Sequence, residues 1–162
     1  MAKRYYKDHR DYGGEVDHAQ LLGVLGGFDG WALSTSAKAL PEVLALCPSG
    51  VRVAAWVRGP RPTRARGALS AWEPVIYRPA RSPVRGPSAA ERVEDVLVHG
   101  VRARTTDPAR VVGAKPAVFA GWMFALIGAA PGDDFTDLFP GSGGVGRAWR
   151  VWSGGGVAAG QG

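Results

Sequence analysis

The stretch Phe28–Val57, FDGWALSTSAKALPEVLALCPSGVRVAAWV, contains the alternation of elements that decides the fold class. Residues 28–34 and 51–57 are compact apolar runs without helical spacing, which is typical of strands buried on both faces. Between them, Ser36 is placed to cap a helix over residues 37–46. A strand, a helix and a strand within about 30 residues form a βαβ unit. The sequence therefore predicts an α/β fold with an open, mostly parallel sheet.

The sequence on either side of this unit predicts further elements of the same kind. Helical spacing predicts one helix from Glu15 to Gly26 and a second, apolar helix over 115–128 that begins at Lys115-Pro116. Strands are expected over residues 72–77, 93–101 and 135–139, and a last helix follows a glycine loop and extends through Trp152.

The 162 residues are enough for one domain with a single core. We expect residues 1–14 to form a flexible N-terminal arm and residues 15–152 to form the domain. Within the domain, the Pro- and Arg-rich residues 58–90 are expected to be a basic loop insertion, because proline removes backbone donors and fixes φ. The Gly-rich residues 153–162 are expected to be a disordered tail.

The single cysteine, Cys47, excludes an internal disulfide, and no metal-ligand spacing surrounds it. No apolar run follows the N-terminal residues, and no stretch approaches the roughly 18 apolar residues of a membrane span. These observations predict a cytoplasmic protein without a metal site and without a membrane partner.

The net charge of +6 is concentrated in one segment. Residues 52–85 contain eight arginines and one acid, Glu73, which gives 8 − 1 = +7. Such a patch is typical of proteins that bind DNA phosphates. The alternative is compositional bias from a GC-rich genome, since arginines outnumber lysines 16 to 4. The candidate nucleic-acid-binding residues are Arg58, Arg61, Arg64 and Arg66.

The glycine loop 141–146, GSGGVG, matches the dinucleotide-binding pattern G-x-G-x-x-G after a strand and before a helix. No acid follows about 20 residues later to hold a ribose, so a nicotinamide cofactor is not favoured. No Lys-Ser or Lys-Thr pair follows the loop, which argues against a phosphate-binding P-loop.

The wider context of this loop resembles a known family. Lys115-Pro116 and its helix, then Pro131-Gly132-Asp133, then residues 137–143, DLFPGSG, occur in the order found in amino-type DNA methyltransferases of the permuted class. The resemblance covers residues 16–150 and implies a Rossmann-like, S-adenosylmethionine-dependent methyltransferase fold. A helix, a strand and a glycine cap would explain each piece separately, but not their succession.

The resemblance implies a catalytic strand at residues 28–34 that ends in Ser34, whose side chain would hold the target amino group. The family has two prolines and an aromatic residue next, whereas this chain has Thr35, Ser36 and Ala37. The residues implied for cofactor binding are Lys115, Asp137, Phe139, Gly141, Ser142 and Gly143. Asp137 is either a structural group or a contact to the methionine amine.

The implied activity is S-adenosylmethionine-dependent methylation of an exocyclic amino group of DNA, at adenine N6 or cytosine N4. The alternative is a methyltransferase-like nucleic-acid-binding protein that has lost catalysis. In the family, further strands and a ribose-binding acid follow the glycine loop. Here only a short tail follows it, so we expect an incomplete cofactor pocket that a second copy or a partner chain completes.

Overall fold

The computed structural model describes residues 16–59, 67, 68, 70–81, 92–100 and 115–154. In these ranges the chain forms α1 (His18–Leu25), β1 (Trp31–Ser34), α2 (Leu40–Leu46), β2 (Arg52–Val57), β3 (Trp72–Arg78), β4 (Val96–Val98), α3 (Ala117–Leu126) and α4 (Gly144–Trp152). The predicted arm, most of the predicted basic insertion and nearly all of the predicted tail lie outside the described residues.

The four strands form one mixed sheet in the order β1-β3-β2-β4. β3 is antiparallel to both of its neighbours, and β2 and β4 are parallel. The fold is therefore mixed α/β, and the prediction of a mostly parallel sheet is wrong. β1 and β2 run in the same direction, as in a βαβ unit, but β3 lies between them. A continuous run of buried residues indicates that both faces of a strand are covered, but it does not indicate the direction of that strand in the sheet.

Two predicted strands differ from the structure at the place where the candidate site lies. The strand predicted over 28–34 begins only at Trp31, because Gly30 turns against the backbone of Ala80 so closely that a Cβ there would lie 2.5 Å from the Ala80 nitrogen. Residues 135–139, which were predicted to form a strand, have neither helical nor strand structure.

The remaining elements follow the prediction with shifted ends. The helix predicted over 37–46 begins at Leu40, after a turn in which the Ser36 hydroxyl accepts a hydrogen bond of 3.1 Å from the Ala39 N–H. The strand predicted over 93–101 is shortened to Val96–Val98. The apolar helix and the last helix lie where they were expected.

Both faces of the sheet are covered, so the described elements form three layers. One face packs against α1 and α2 through a cluster of aliphatic residues and one tryptophan: Leu21, Leu22, Leu25, Trp31, Val43 and Ile76. The other face packs against α3 through Ala54, Trp56, Val75, Tyr77, Phe119 and Leu126. None of the helices in the described ranges is both long and apolar enough to cross a membrane.

Candidate functional site

A cleft of about 800 Å³ runs along the edge of β1 that does not face β3. One wall is residues 27–34, which include all of β1, and the other wall is the segment 133–139. Apolar side chains of α1 and α3 close the cleft on its two sides, among them Leu21, Leu25, Phe119 and Met123. A cavity of this size is within the range of small-molecule sites.

One end of the cleft is fixed by a bidentate ion pair between Arg81 and Asp133. The two guanidinium nitrogens lie 2.5 and 2.7 Å from the two carboxylate oxygens, and Arg81 also donates to the carbonyl of Gly128 at 2.9 Å. The hydrogen bond from Arg81, with a second one from the Ala130 N–H, lowers the pKa of Asp133 to about 2. Arg81 follows Ala80, which packs against Gly30 directly before β1. The ion pair therefore holds the start of segment 133–139 near the start of β1.

The opposite end of the cleft contains a partly buried cluster of two cations and one anion. The carboxylate of Glu73 accepts from Arg58 through one oxygen and from Lys115 through the other. The ammonium of Lys115 also lies 4.8 Å from the ring centre of Trp56 and 5.3 Å from that of Phe119, within cation–π distance. Of these three charged groups, Lys115 is the one that lines the cleft.

Lys115 and Ser34 lie toward the same end of the sheet. Ser34 is paired with Val75, and Glu73 lies two residues further along β3 on the same face, about 7 Å away along the strand. Since Lys115 is bonded to Glu73, its ammonium lies beyond the C-terminal end of β1. The backbone carbonyl of Lys115 is also 3.8 Å from the position of a Cβ on Gly144, so the end of the glycine loop is at this end too.

Two buried polar atoms of cleft-lining residues have no hydrogen-bond partner among the described residues. Asp137 accepts from the Phe139 N–H through Oδ1 at 3.1 Å, whereas its Oδ2 is buried and without such a partner. The indole nitrogen of Trp31 is likewise buried and without one. A buried polar atom without a partner costs free energy, so each of these atoms is a candidate for contact with a ligand.

Aromatic packing holds segment 133–139 against the helices. The ring of Phe135 stacks on Trp149 with centroids 5.0 Å apart, and both rings contact the edge or face of Phe124 at 5.4 and 5.1 Å. This three-ring cluster joins α3, α4 and the segment. Trp149 and Phe135 were not identified as site residues from the sequence.

The glycine loop adopts backbone conformations that favour glycine. Gly141 and Gly143 have φ values of 45° and 71°, in the left-handed region. The Gly143 N–H donates to the carbonyl of Pro140 at 2.6 Å, and Arg147 donates to the carbonyl of Ser142 at 2.7 Å. The loop thus turns tightly into α4, with the guanidinium of Arg147 beside Gly143.

The predicted site residues fall into four groups. The cleft brings together Ser34, Lys115, Asp137 and Phe139. Gly141, Ser142 and Gly143 directly follow this wall but do not line the cleft. Arg58 is bonded to Glu73 with its side chain only 11% exposed, which leaves it poorly placed for phosphate contact. Arg61, Arg64 and Arg66 lie outside the described residues.

Glu73 and Asp133, whose carboxylates bind the cations at the two ends of the cleft, were not identified as site residues from the sequence. Glu73 is the single acid among the eight arginines of residues 52–85, and that isolation was the available signal. Asp133 was visible only as part of a Pro-Gly-Asp turn. Comparison of the chain with family models, with curated proteins and with solved structures finds no significant match.

Proposed function

We propose that the chain is an S-adenosylmethionine-dependent methyltransferase of the Rossmann-like type, which acts on an exocyclic amino group of DNA. The supporting observation is that Ser34, Lys115, Asp137 and Phe139 all line one cleft. These residues come from opposite halves of the chain, and the resemblance implies that they belong to one site. Ligands of open α/β sheets bind outside the carboxyl ends of strands, and here Ser34 ends β1 and the Lys115 ammonium lies beyond that end.

The residues at this end of the cleft are compatible with the methionine part of the cofactor. That part carries an ammonium and a carboxylate. Asp137 Oδ2, buried and without a partner among the described residues, is an acceptor for the ammonium. Lys115 has three donors, of which one is bonded to Glu73, so two N–H donors remain for a carboxylate. Phe139, which is 57% exposed and lines the cleft, offers a ring face for stacking on the adenine.

Ser34 is the proposed contact to the target amino group. Its hydroxyl would accept a hydrogen bond from the amine and keep the nitrogen lone pair directed at the methyl group, in line with the bond that breaks. When bound, the cofactor supplies that electrophilic methyl group. Ser36 is bonded to the Ala39 N–H and the Thr35 N–H to the Pro74 carbonyl, so both neighbours have structural roles in this turn.

The proposed DNA contact is the basic segment, on the evidence of its charge. Among the arginines of this segment that the structure describes, Arg58 is paired with Glu73 and Arg81 with Asp133, so the charge available to phosphates is smaller than the sequence total. Changing Arg61, Arg64 and Arg66 together to Ala should weaken DNA binding and flatten its salt dependence by about 0.9 for each phosphate that is no longer bound. Unchanged affinity and slope would exclude this loop as the DNA-binding surface.

Calorimetric titration with S-adenosylmethionine tests the cofactor proposal. Asp137→Asn keeps the shape of the side chain but removes its charge, and a charge-assisted hydrogen bond is worth about 2 kcal/mol, so affinity should fall about thirtyfold. The matched control is Asp95→Asn beside β4, at the far edge of the sheet, which should bind as the wild type does. Equal affinities of the two variants for S-adenosylmethionine would show that Asp137 does not contact the cofactor.

Ser34→Ala should retain cofactor affinity and lose methyl transfer to DNA. Loss of both together would indicate a structural role for Ser34. Wild-type protein that binds DNA but binds S-adenosylmethionine more weakly than about 1 mM would refute the enzyme and leave the alternative, a methyltransferase-like DNA-binding protein without catalysis.

A further inference from the structure

β1 has a row of backbone hydrogen-bonding groups that point into the cleft. The Thr35 N–H donates to the Pro74 carbonyl at 3.1 Å, in register with the β1–β3 pairs. Residues of an antiparallel strand alternate in the side to which their N–H and C=O point. Leu33 therefore points these groups toward β3, as Thr35 does, whereas Ala32 and Ser34 point them away. No strand of the described part of the sheet lies on that side.

The opposite wall also has backbone groups without partners. Residues 134–137 have no regular structure, and no backbone–backbone hydrogen bond within the described ranges involves residues 134–138. Asp133 is held beside the start of β1 by Arg81, and Gly144 lies beside Lys115 at the other end. The segment thus runs alongside β1 in the same direction, with a gap between them.

The cleft is large enough to hold one added strand. Four extended residues span about 13 Å, a strand takes about 4.8 Å of sheet width, and packed layers are about 10 Å apart, which together give about 600 Å³. The cleft volume is about 800 Å³. Its sides are apolar, with Leu21 and Leu25 on one side and Phe119 and Met123 on the other. A strand that filled the gap would need apolar side chains on both faces.

We infer that the cleft binds an extended, apolar segment of a partner polypeptide, which adds as a strand between β1 and residues 134–137. Strand addition to an exposed sheet edge is a known mode of peptide recognition, in which main-chain hydrogen bonds supply affinity. This inference goes beyond the proposed function, because it rests on the edge of β1 that is unpaired within the described residues and on the apolar sides of the cleft. The added strand would lie against Ser34 and residues 134–137, so the strand and the cofactor would compete for the same cleft.

Two other occupants fit the gap less well. The β1 edge of a second copy lies recessed behind that copy's own residues 134–137, so two such edges cannot meet. The first 14 residues of the chain include six charged residues, Lys3, Arg4, Lys7, Asp8, Arg10 and Asp11. A segment of that composition lacks the apolar side chains that a strand buried on both faces requires.

The test uses the full chain and a capped peptide with the central sequence Val-Ile-Val-Val between pairs of lysines. Binding should slow hydrogen exchange of the Ala32 and Ser34 amides at least about tenfold, corresponding to about 1.4 kcal/mol of added protection. The Leu33 amide, which already faces β3, should change little. The same peptide with every central residue N-methylated should not bind, because it lacks the donors. Binding that leaves Ala32 and Ser34 unprotected, or no binding at all, would overturn the inference.

A variant of the chain gives a second readout. Ala32→Pro removes the N–H that faces the cleft, at an edge position where proline is tolerated, and should lower peptide affinity at least about tenfold. Ala32→Ser keeps the N–H and should bind as the wild type does. If Ala32→Pro does not fold, the exchange pattern of the wild type still decides. Peptide binding without affinity for S-adenosylmethionine would refute only the proposed function, and the reverse result would refute only this inference.

Discussion

Glu73 and Asp137 are both partly buried carboxylates, but the structure uses them differently. Glu73, in the central strand, has both oxygens bonded to cations. Asp137, in the wall of the cleft, has one oxygen bonded to a backbone N–H and the other buried without a partner in the described part of the chain. The first arrangement contributes to folding, and the second leaves a polar group for a ligand. The backbone shows the same contrast. β3 and β2 have a neighbouring strand on both sides, whereas β1 has one on only one side within the described residues.

The largest effect is expected from Glu73→Gln. This change leaves two partly buried cations without their anion, and breaking such a pair costs about 3 kcal/mol, at the lower end of the range because Glu73 is 18% exposed. Asp137→Asn should change the free energy of unfolding by less than about 0.5 kcal/mol. Urea unfolding measures both changes, with the exposed Glu94→Gln as the control. Similar losses at Glu73 and Asp137 would remove the distinction between the two carboxylates.

Two buried tryptophans give a second comparison between a polar group that has a hydrogen-bond partner and one that has none in the described part of the chain. Trp56 and Trp31 are both buried, at 2% and 4% exposure. The Trp56 indole N–H donates to the His99 carbonyl at 2.9 Å, whereas the Trp31 N–H has no partner among the described residues. Both changes to Phe remove similar volume, so the difference between them comes from the hydrogen bond and from the weaker contact that a Phe ring would make with the Lys115 ammonium. We expect Trp56→Phe to cost about 1 kcal/mol more than Trp31→Phe in urea unfolding. An equal or reversed order would show that Trp31 has a partner in solution.

The sequence was sufficient to predict most elements, because apolar spacing and caps are local properties. The helices α1, α3 and α4 and the strands β2 and β3 lie close to their predicted ranges. Strand direction was not predictable in the same way. β3 is buried along residues 74–77, a pattern that fits a parallel strand, yet it pairs antiparallel with β1 and β2. Direction depends on the route of the connections, and no local pattern encodes it.

The candidate site was predictable in part for a related reason. Ser34, Lys115, Asp137 and Phe139 were predicted from a succession of short motifs, and all four line one cleft. The partners that arrange them were not predicted, because ion pairs such as Arg58–Glu73 and Arg81–Asp133 join residues 15 and 52 positions apart. The strand predicted over 135–139 is absent because in the described part of the chain its backbone has no neighbouring strand to bond to.

The smallest effect is expected at the Arg81–Asp133 pair, which holds the wall of the cleft at the surface. Asp133 has a folded-state pKa of about 2, below its ordinary value of about 3.9. A lowered carboxyl pKa stabilises the fold above the ordinary pKa, and this contribution is lost as the pH falls from about 4 toward 2. The wild type should therefore unfold at a higher urea concentration than Asp133→Asn near neutral pH, and the two midpoints should converge at about pH 2.

The control for this prediction is Asp134→Asn at the adjacent residue, whose urea midpoint is measured over the same pH range. Other carboxyl groups titrate in the same range, but they are common to wild type and variant and cancel in the difference. Because Arg81 is exposed and Asp133 is partly exposed, solvent screening keeps the effect small, and added salt should reduce it further. A difference that persisted unchanged at pH 2 would show that the charge of Asp133 is not what stabilises the fold.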